Sequence, residues 1–257
     1  MTSVLTAITH LPSQNIQDGA RTFVGDEPID FPLVLRQHAA YEDRLRACGA
    51  HVVTLNVNAG LPDSVFIEDT AVVLDEIAVM MSMGAASRPG EPAGVAPALS
   101  PYRPITWIPQ AARIDGGDVV RSGRFLYVGE STRTTAQGIE HLRRLTKSHG
   151  YQVIAVPLRA CLHLKTACSA LPDGRFLVNA EWVDGGTLQP LSLLHVPSTE
   201  PWAADVLVVR DHILVSDAFP ATIELLSTEG FDVTPTSVSE FAKAEGGVTC
   251  LSLVFES

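Results

Sequence analysis

Three times along this chain a helical pattern runs into a glycine and restarts at once as a strand, and that recurrence narrows the folds open to it. The segments Gly49-Ala50-His51-Val52, Gly150-Tyr151-Gln152-Val153 and Gly230-Phe231-Asp232-Val233 stand in one register. Before the first, Leu35, His38, Ala39 and Leu45 fall along one face of a predicted helix over 34–48. Before the second, Ile139, Leu142 and Leu145 do the same over 135–149, and a shorter helix is predicted over 222–229. Glycine just past the last turn supplies the left-handed conformation that ends a helix. The β-branched residues that follow then continue as strands.

A second repeat is interleaved with the first. Gly123-Arg124-Phe125-Leu126 recurs 51 residues later as Gly174-Arg175-Phe176-Leu177, and both read as hairpin tips, as do Asp75-Glu76 and Asp211-His212. A period of that size points to a repeat architecture, and about five ββαβ units would fill the 257 residues. Six prolines between Ser87 and Gln110 (Pro89, Pro92, Pro97, Pro101, Pro104 and Pro109) predict a surface excursion there, without a long helix or a central strand. Nowhere does composition shift as a linker would, so residues 1–257 are expected to form a single domain.

Charge and cysteine content exclude several classes of function. With 29 acidic against 18 basic residues the net charge is −11, which disfavours nucleic acid and anionic membrane surfaces and suits a cationic ligand. Residues 1–11 carry no Lys or Arg and no long apolar run, so no signal peptide is expected. The apolar runs at 206–209 and 251–255 are far too short to span a bilayer. Four cysteines, Cys48, Cys161, Cys168 and Cys250, do not make a disulfide framework in a chain of this length. The expectation is a cytoplasmic protein with free thiols.

A free thiol is either core filler or chemistry. Cys250 follows Gly246-Gly247-Val248-Thr249, a glycine turn opening into the last strand, where backbone can approach a ligand closely. His163 sits between Leu162 and Leu164; on a strand those leucines would point away from it, leaving it either in a polar cavity or as a satisfied core histidine. A cysteine and a histidine remote in sequence are the layout of thiol catalysis. The spacing of Cys161, His163 and Cys168 matches no usual zinc pattern, so no metal and no cofactor is expected. Two acidic clusters, Asp63, Glu68 and Asp69, then Asp115 and Asp118 around Gly116-Gly117, lie at strand entrances. Carboxylates converging on one cavity repel unless a cation joins them, and a planar guanidinium accepts them in a fork. Arg88 and Arg133 offer the complementary fork to a carboxylate.

Taken together, these segments resemble the dimethylarginine dimethylaminohydrolases of the pentein superfamily. The resemblance is carried by Leu61-Pro62-Asp63-Ser64-Val65-Phe66-Ile67-Glu68-Asp69, Ser87-Arg88, Ile114-Asp115-Gly116-Gly117-Asp118, Gly129-Glu130-Ser131-Thr132-Arg133-Thr134, Leu162-His163-Leu164-Lys165-Thr166 and Gly246 through Cys250, in one order along nearly the whole chain. It implies an α/β five-bladed propeller and a hydrolase of linear amidines that converts an Nω-methylated arginine to citrulline. Cys250 would be the nucleophile and His163 the general acid and base. Asp69 and Asp115 would hold the guanidinium nitrogens, with Glu68 beside them. Asp63 would face the α-amino group, Arg88 and Arg133 would clamp the α-carboxylate, and the carbonyl of Ala244 would line the site. Free arginine, agmatine or another guanidino compound is the alternative substrate class, and a non-catalytic binding pentein the alternative of another kind. The expected partner is a small guanidino amino acid, handled by a monomer or homodimer.

The sequence also departs from that family. Asp115 stands where many bacterial relatives have glutamate, and Ser82-Met83-Gly84 replaces an arginine-proline-glycine run. In the lid segment 15–20, Ala20 stands where a leucine often covers the substrate, and the proline-rich excursion after Pro89 replaces what is more often helical. Carboxylates around the thiol raise its resting pKa, so the cationic substrate is predicted to favour the thiolate. Alkylation of Cys250 in the free protein should therefore accelerate only as pH rises above neutral; a thiolate fully formed well below neutral contradicts this.

Overall fold

The structure, a computed structural model, describes residues 4–188 and 191–257. Strand β1 (Leu5–His10) leads through α1 (Phe31–Ala47) to β2 (His51–Leu55). A full unit follows: β3 (Ala71–Val73), β4 (Ala78–Met80), α2 (Glu91–Leu99) and β5 (Ile105–Trp107). The next repeats it with β6 (Val119–Ser122), β7 (Phe125–Glu130), α3 (Ala136–Lys147) and β8 (Gln152–Pro157). A short α4 (Leu164–Ala167) then precedes β9 (Cys168–Ala170), β10 (Phe176–Val178) and β11 (Leu193–His195), where no helix fills the crossover among the described residues. The last unit is β12 (Val206–Val209), β13 (His212–Ser216), α5 (Pro220–Thr228) and β14 (Asp232–Thr236), followed by α6 (Ser239–Ala242) and β15 (Ser252–Glu256).

Five three-stranded sheets result, each with a central strand antiparallel to one neighbour and parallel to the other. This is the α/β class with the number of units that the repeat predicted, and it agrees with the five blades that the resemblance implied; four of the five carry a helix between the central strand and its parallel neighbour among the described residues. One sheet is assembled out of chain order: β15 supplies β1 with its antiparallel partner, in register from Leu5 opposite Glu256 to Thr9 opposite Ser252. By contacts the chain divides into two compact units, Met1–Glu68 with Val206–Ser257, and Asp69–Asp205. The sheets β15-β1-β2 and β12-β13-β14 belong to the first, and the other three to the second. No helix among the described residues is long and apolar enough to cross a membrane.

The punctuation read from sequence holds at each place. Gly49, Gly150 and Gly230 have φ of 85, 80 and 91° after α1, α3 and α5, and a residue with a Cβ is strained there. The four hairpin tips are also where they were placed, with Arg210 taking φ 56° at the β12–β13 tip. Helix α1 starts three residues before its apolar pattern because the Asp30 side chain caps Leu33 N at 3.1 Å and Pro32 occupies the first turn.

The proline-rich stretch is corrected by the structure. It holds the nine-residue helix α2, with Pro92 in the first turn and Pro97 inside, and its residues Pro92, Val95, Ala96 and Leu99 are buried. It is therefore neither a surface excursion nor a loss of helix. Proline at a first turn costs nothing, since that N–H has no helical partner. Strand β5 lies at the edge of its sheet, where the exclusion of a central strand still holds.

Packing explains why the strands read as unbroken apolar runs. In the second unit Leu126 and Val128 of β7 join Ile139 and Leu142 of α3 in one core, while Tyr127 between them faces another and meets the Phe176 ring edge-on at 5.4 Å. Strands buried on both faces lose the apolar–polar alternation. In the first unit, Val34, Tyr41 and Leu45 of α1 pack with Leu5, Phe66, Phe241 and Leu251. Tyr41 hydroxyl donates to Val248 O at 2.9 Å and lies 2.6 Å from Ser252 Oγ, tying α1 to the turn that carries Cys250. Replacing Tyr41 by Phe leaves the buried Val248 carbonyl without this donor and the Ser252 hydroxyl without this partner, and should cost about 1–3 kcal/mol of stability in urea unfolding; an unchanged midpoint contradicts that role.

Candidate active site

In the first unit the predicted residues gather on two loops. Residues 63–68 run into a 3₁₀ turn over Ile67–Thr70, and Phe66 packs so closely on Gly246 that any Cβ at 246 would collide with its ring. Glu68 N donates to Cys250 O at 3.2 Å, joining the two loops directly. Cys250 itself is half-buried, and Gly247 N donates to its Sγ at 3.4 Å. Cys48, Cys161 and Cys168 are free but buried, and burial pushes each thiol up, that of Cys161 to about 12. Among the four cysteines, only Cys250 combines access with a donor on sulfur.

The lid segment is held by carboxylates. Asp63, buried, accepts Ala20 N on both oxygens at 3.2 Å, and Gly19 lies against it with no room for a Cβ. Glu245 accepts three successive backbone donors on one oxygen, from Thr22 at 2.7 Å, from Phe23 and from Val24 at 3.0 Å. It does so at φ 63°, directly after the buried Ala244. Sequence reasoning gave Glu245 no role; its position before two glycines was the available signal.

In the second unit the charged residues converge more tightly. His163 is not on a strand, as the leucine alternation suggested, but is the N-cap of α4 with φ −132° and ψ 160°. Its Nε2 lies 3.2 Å from Asp115 Oδ2 and its Nδ1 3.8 Å from Asp69 Oδ1. Asp115 also accepts Gly84 N at 2.6 Å, and Asp69 accepts Gly117 N at 3.0 Å. Gly117 is required here, since a Cβ would lie 2.7 Å from Asp69 Oδ1 and 2.8 Å from His163 Nδ1. Asp118 lies beneath the pair: it accepts Leu164 N at 3.0 Å and the Ser131 and Thr134 hydroxyls at 2.5 Å each, so it caps α4 and fixes the backbone that carries His163. Asp118 was legible as an acid at a strand entrance but not as this support.

Burial alone would lower the His163 pKa. The charges of Asp69 and Asp118, with the bond and charge of Asp115, outweigh it and raise the ring to about 9. Burial lifts Asp118 to about 6 against the pull of His163 and the two hydroxyls. Burial also works to raise Asp69, but His163 and Arg88 prevail and hold it below the usual carboxylate range. Asp69, Asp115 and His163 each bring one donor atom within 4.8 Å of the others, a spacing that suits a small cation or a shared proton.

The two arginines differ sharply. Arg88 is buried and spends its guanidinium on Asp69 at 2.6 Å and on Glu91 at 2.8–3.1 Å. Arg133 is half-buried, its backbone lies against Gly84, and among the described residues its guanidinium has no hydrogen-bond or ion-pair partner. Glu91, missed in the sequence, stands three residues after Arg88 at the start of α2.

Comparison with known proteins agrees with this chemistry. A family profile described as arginine deiminase matches residues 101–196. The N(G),N(G)-dimethylarginine dimethylaminohydrolase of Streptomyces coelicolor is 38% identical over 96% of this chain and 95% of its own. A dimethylarginine dimethylaminohydrolase with a histidine-to-glycine substitution, solved as an adduct with S-methyl-L-thiocitrulline, superimposes with a TM-score of 0.92 at 29% identity over 97% of this chain and 99% of its own. The Pseudomonas aeruginosa enzyme, as a cysteine-to-serine variant with citrulline, gives 0.89 at 27% identity over 98% and 100%.

The raised His163 has a stability consequence with a definite sign. A ring at about 9 in the folded chain and 6.5 unfolded contributes stability that is complete below about 6.5 and lost as pH rises through about 9. Urea unfolding of the wild type should weaken across that window, and His163→Gln should flatten the dependence; the same slope in both proteins contradicts the assignment.

Proposed function

Since the chain belongs to the dimethylarginine dimethylaminohydrolase family, we propose that it hydrolyses Nω-methylated arginine to citrulline and an amine through a covalent intermediate on Cys250, with residues 1–257 acting as one catalytic domain. The observation that carries this reading is the buried charge set in which Asp69 and Asp115 flank a protonated His163. Such a set is poor at stabilising an oxyanion and well suited to a substrate that stays cationic through the reaction.

The steps follow from the residue types. Cys250 thiolate attacks the guanidinium carbon and a tetrahedral adduct forms. His163 gives a proton to the departing methylated nitrogen, the C–N bond breaks, and a thiouronium remains on sulfur. Neutral His163 then takes a proton from water as its oxygen attacks the same carbon; the C–S bond breaks with its electron pair returning to Cys250 as thiolate, and the remaining hydroxyl proton passes to the released amine or to solvent as the C=O of citrulline forms. Asp69 and Asp115 hold the nitrogens and keep the positive charge in place; Glu68 lies next to Asp69 in the chain. Asp63, with the Ala20 backbone already on its carboxylate, receives the α-ammonium group together with the Ala244 carbonyl. Arg133, together with Arg88, clamps the α-carboxylate.

The test is chemical. Asymmetric dimethylarginine, monomethylarginine, arginine and agmatine are each incubated with the protein, and citrulline and released amine are quantified. Turnover is expected with the two methylated substrates. Cys250→Ser should abolish it while leaving the circular dichroism spectrum and citrulline binding intact. Mass spectrometry of His163→Gly after incubation with S-methyl-L-thiocitrulline, whose methanethiolate leaves without a proton from His163, should find the adduct mass on the peptide containing Cys250. Unmethylated arginine or agmatine turned over faster than either methylated compound would displace this reading.

A further inference from the structure

Between β1 and α1 the chain runs from Leu11 to Asp30 with one 3₁₀ turn over Ile16–Asp18, and it is tied down in two unlike ways. Its foot is built into the protein. Asp30 N donates to the buried Glu240 at 2.8 Å, and Lys243 Nζ donates to Pro28 O at 3.1 Å while pairing with the same glutamate at 2.9 Å. Ile29 N donates to Gln17 Oε1 at 2.8 Å, closing the two limbs at the base. The tip rests on one side chain. Glu245 Oε1 accepts the amides of Thr22, Phe23 and Val24, while Oε2 is buried and has no hydrogen-bond partner among the described residues, so this carboxylate is committed to the tip alone. We propose that Glu245 is a positioning residue, a latch that holds the tip of this segment shut over Asp63 and sets the rate at which substrate and product pass. The gating consequence rests on the hydrolase reading above; the latch does not.

Three observations carry it. The first is the backbone of the latch. Glu245 has φ 63°, a left-handed conformation strained for a residue with a side chain, and glycine would adopt it freely. What glutamate adds there is its carboxylate, aimed by the turn that ends α6, in which Ala244 N and Gly246 N donate to Phe241 O and Glu245 N to Ala242 O. Strain held at a single residue marks a functional placement.

Second, the tip is braced as one body and is the part that yields. Arg21 folds back within the segment, with Nη2 on Gln17 O at 2.9 Å and Nη1 on Asp26 at 2.8 Å, and its side chain is only 9% exposed. One latch therefore holds the whole tip. Releasing Glu245 breaks no ion pair among the described residues, and Thr22 and Phe23 are exposed, so water can satisfy their amides. Releasing the foot would instead strip the buried Glu240 of Asp30 N and Lys243. Local opening follows the weaker attachment.

Third, the tip covers a group of the site. Asp63, 3% exposed, accepts Ala20 N on both oxygens, and Gly19 packs on its Oδ1 with no room for a Cβ. An ammonium group bound for Asp63 has to displace residues 19–20, which adjoin the latched amides. The latch also shares a short stretch with the nucleophile, since Cys250 lies five residues after Glu245 and Gly247 N between them donates to its Sγ.

Hydrogen exchange, read by mass spectrometry, tests the latch without turnover. In Glu245→Gly, which admits the left-handed backbone and removes the carboxylate, amides 22–24 should exchange at least about tenfold faster than in the wild type. Trypsin should cut after Arg21 faster by a similar factor. Exchange in α1 and α6 and the urea midpoint should stay unchanged, a combination that a merely structural role does not give. Unchanged exchange over 22–24, or faster exchange across α1 and α6 with a lowered midpoint, overturns the proposal. Should Glu245→Gly fold poorly, Glu245→Asn also tolerates that φ, is one methylene shorter, and carries the same expectations. Gating is read in the Cys250→Ser background from NMR line shapes of citrulline. Its on- and off-rates should both rise about tenfold when Glu245→Gly is added, with Kd nearly constant. Rates that do not move overturn the gate. Citrulline that fails to bind the Cys250→Ser protein removes the hydrolase reading alone, and the exchange result still decides the latch.

Discussion

Three carboxylates, Asp69, Asp115 and Asp118, are buried around one imidazole, and everything else in the second unit is arranged so that this can persist. Three ionised acids in so dry a place would repel one another by more than a domain of this size can absorb. The structure compensates in three different ways. Arg88 neutralises Asp69 directly, a protonated His163 lies between Asp69 and Asp115, and Asp118 drifts toward neutrality under short hydroxyl and amide bonds. Each device sits on a different segment, so the balance exists only when the segments are in place.

The close approach this demands explains the glycines better than loop flexibility does. Gly84, Gly117 and Gly129 have ordinary φ, yet a Cβ on any of them would strike Arg133 backbone, Asp69 and His163, or Asp118. At Gly84 and Gly117 the backbone N–H itself donates to a carboxylate, and at Gly129 the strand passes against the Asp118 side chain. Gly246 does the same for Phe66 in the first unit, beside the turn that carries Cys250. Glycine thus acts twice in this chain, as a helix stop with positive φ and as a spacer of zero width.

That double use accounts for what the sequence disclosed. The helix stops and hairpin tips are local: a conformation only glycine adopts easily, next to a change of hydrophobic period. The five-sheet repeat is therefore legible in the amino-acid order alone, and the acids at strand entrances are legible with it. Helix α2 was not, because proline in a first turn and proline in a loop look alike in sequence, and only burial of Val95, Ala96 and Leu99 separates them. His163 looked like a strand residue because leucines flank it, whereas its placement depends on Asp118, 45 positions away, capping the next turn.

The same electrostatics bears on how one histidine serves as both acid and base. With the ring at about 9 in the free protein, His163 holds its proton at neutral pH and is ready to protonate a leaving amine. A ring protonated that firmly would be useless as a base were its surroundings constant. In the proposed reaction they are not constant. Substrate brings a cation to Asp69 and Asp115, the carboxylates that raise the ring, and offsets their charge just when the proton is due to leave. Once the amine has departed, the remaining thiouronium is still cationic, so the ring is not driven to recover a proton from solvent before water attacks. A site lined by an oxyanion hole could not do this, because its donors carry no charge for the substrate to cancel. The excess of buried carboxylates is therefore what lets a single imidazole change role midway, with the substrate's own charge as the signal.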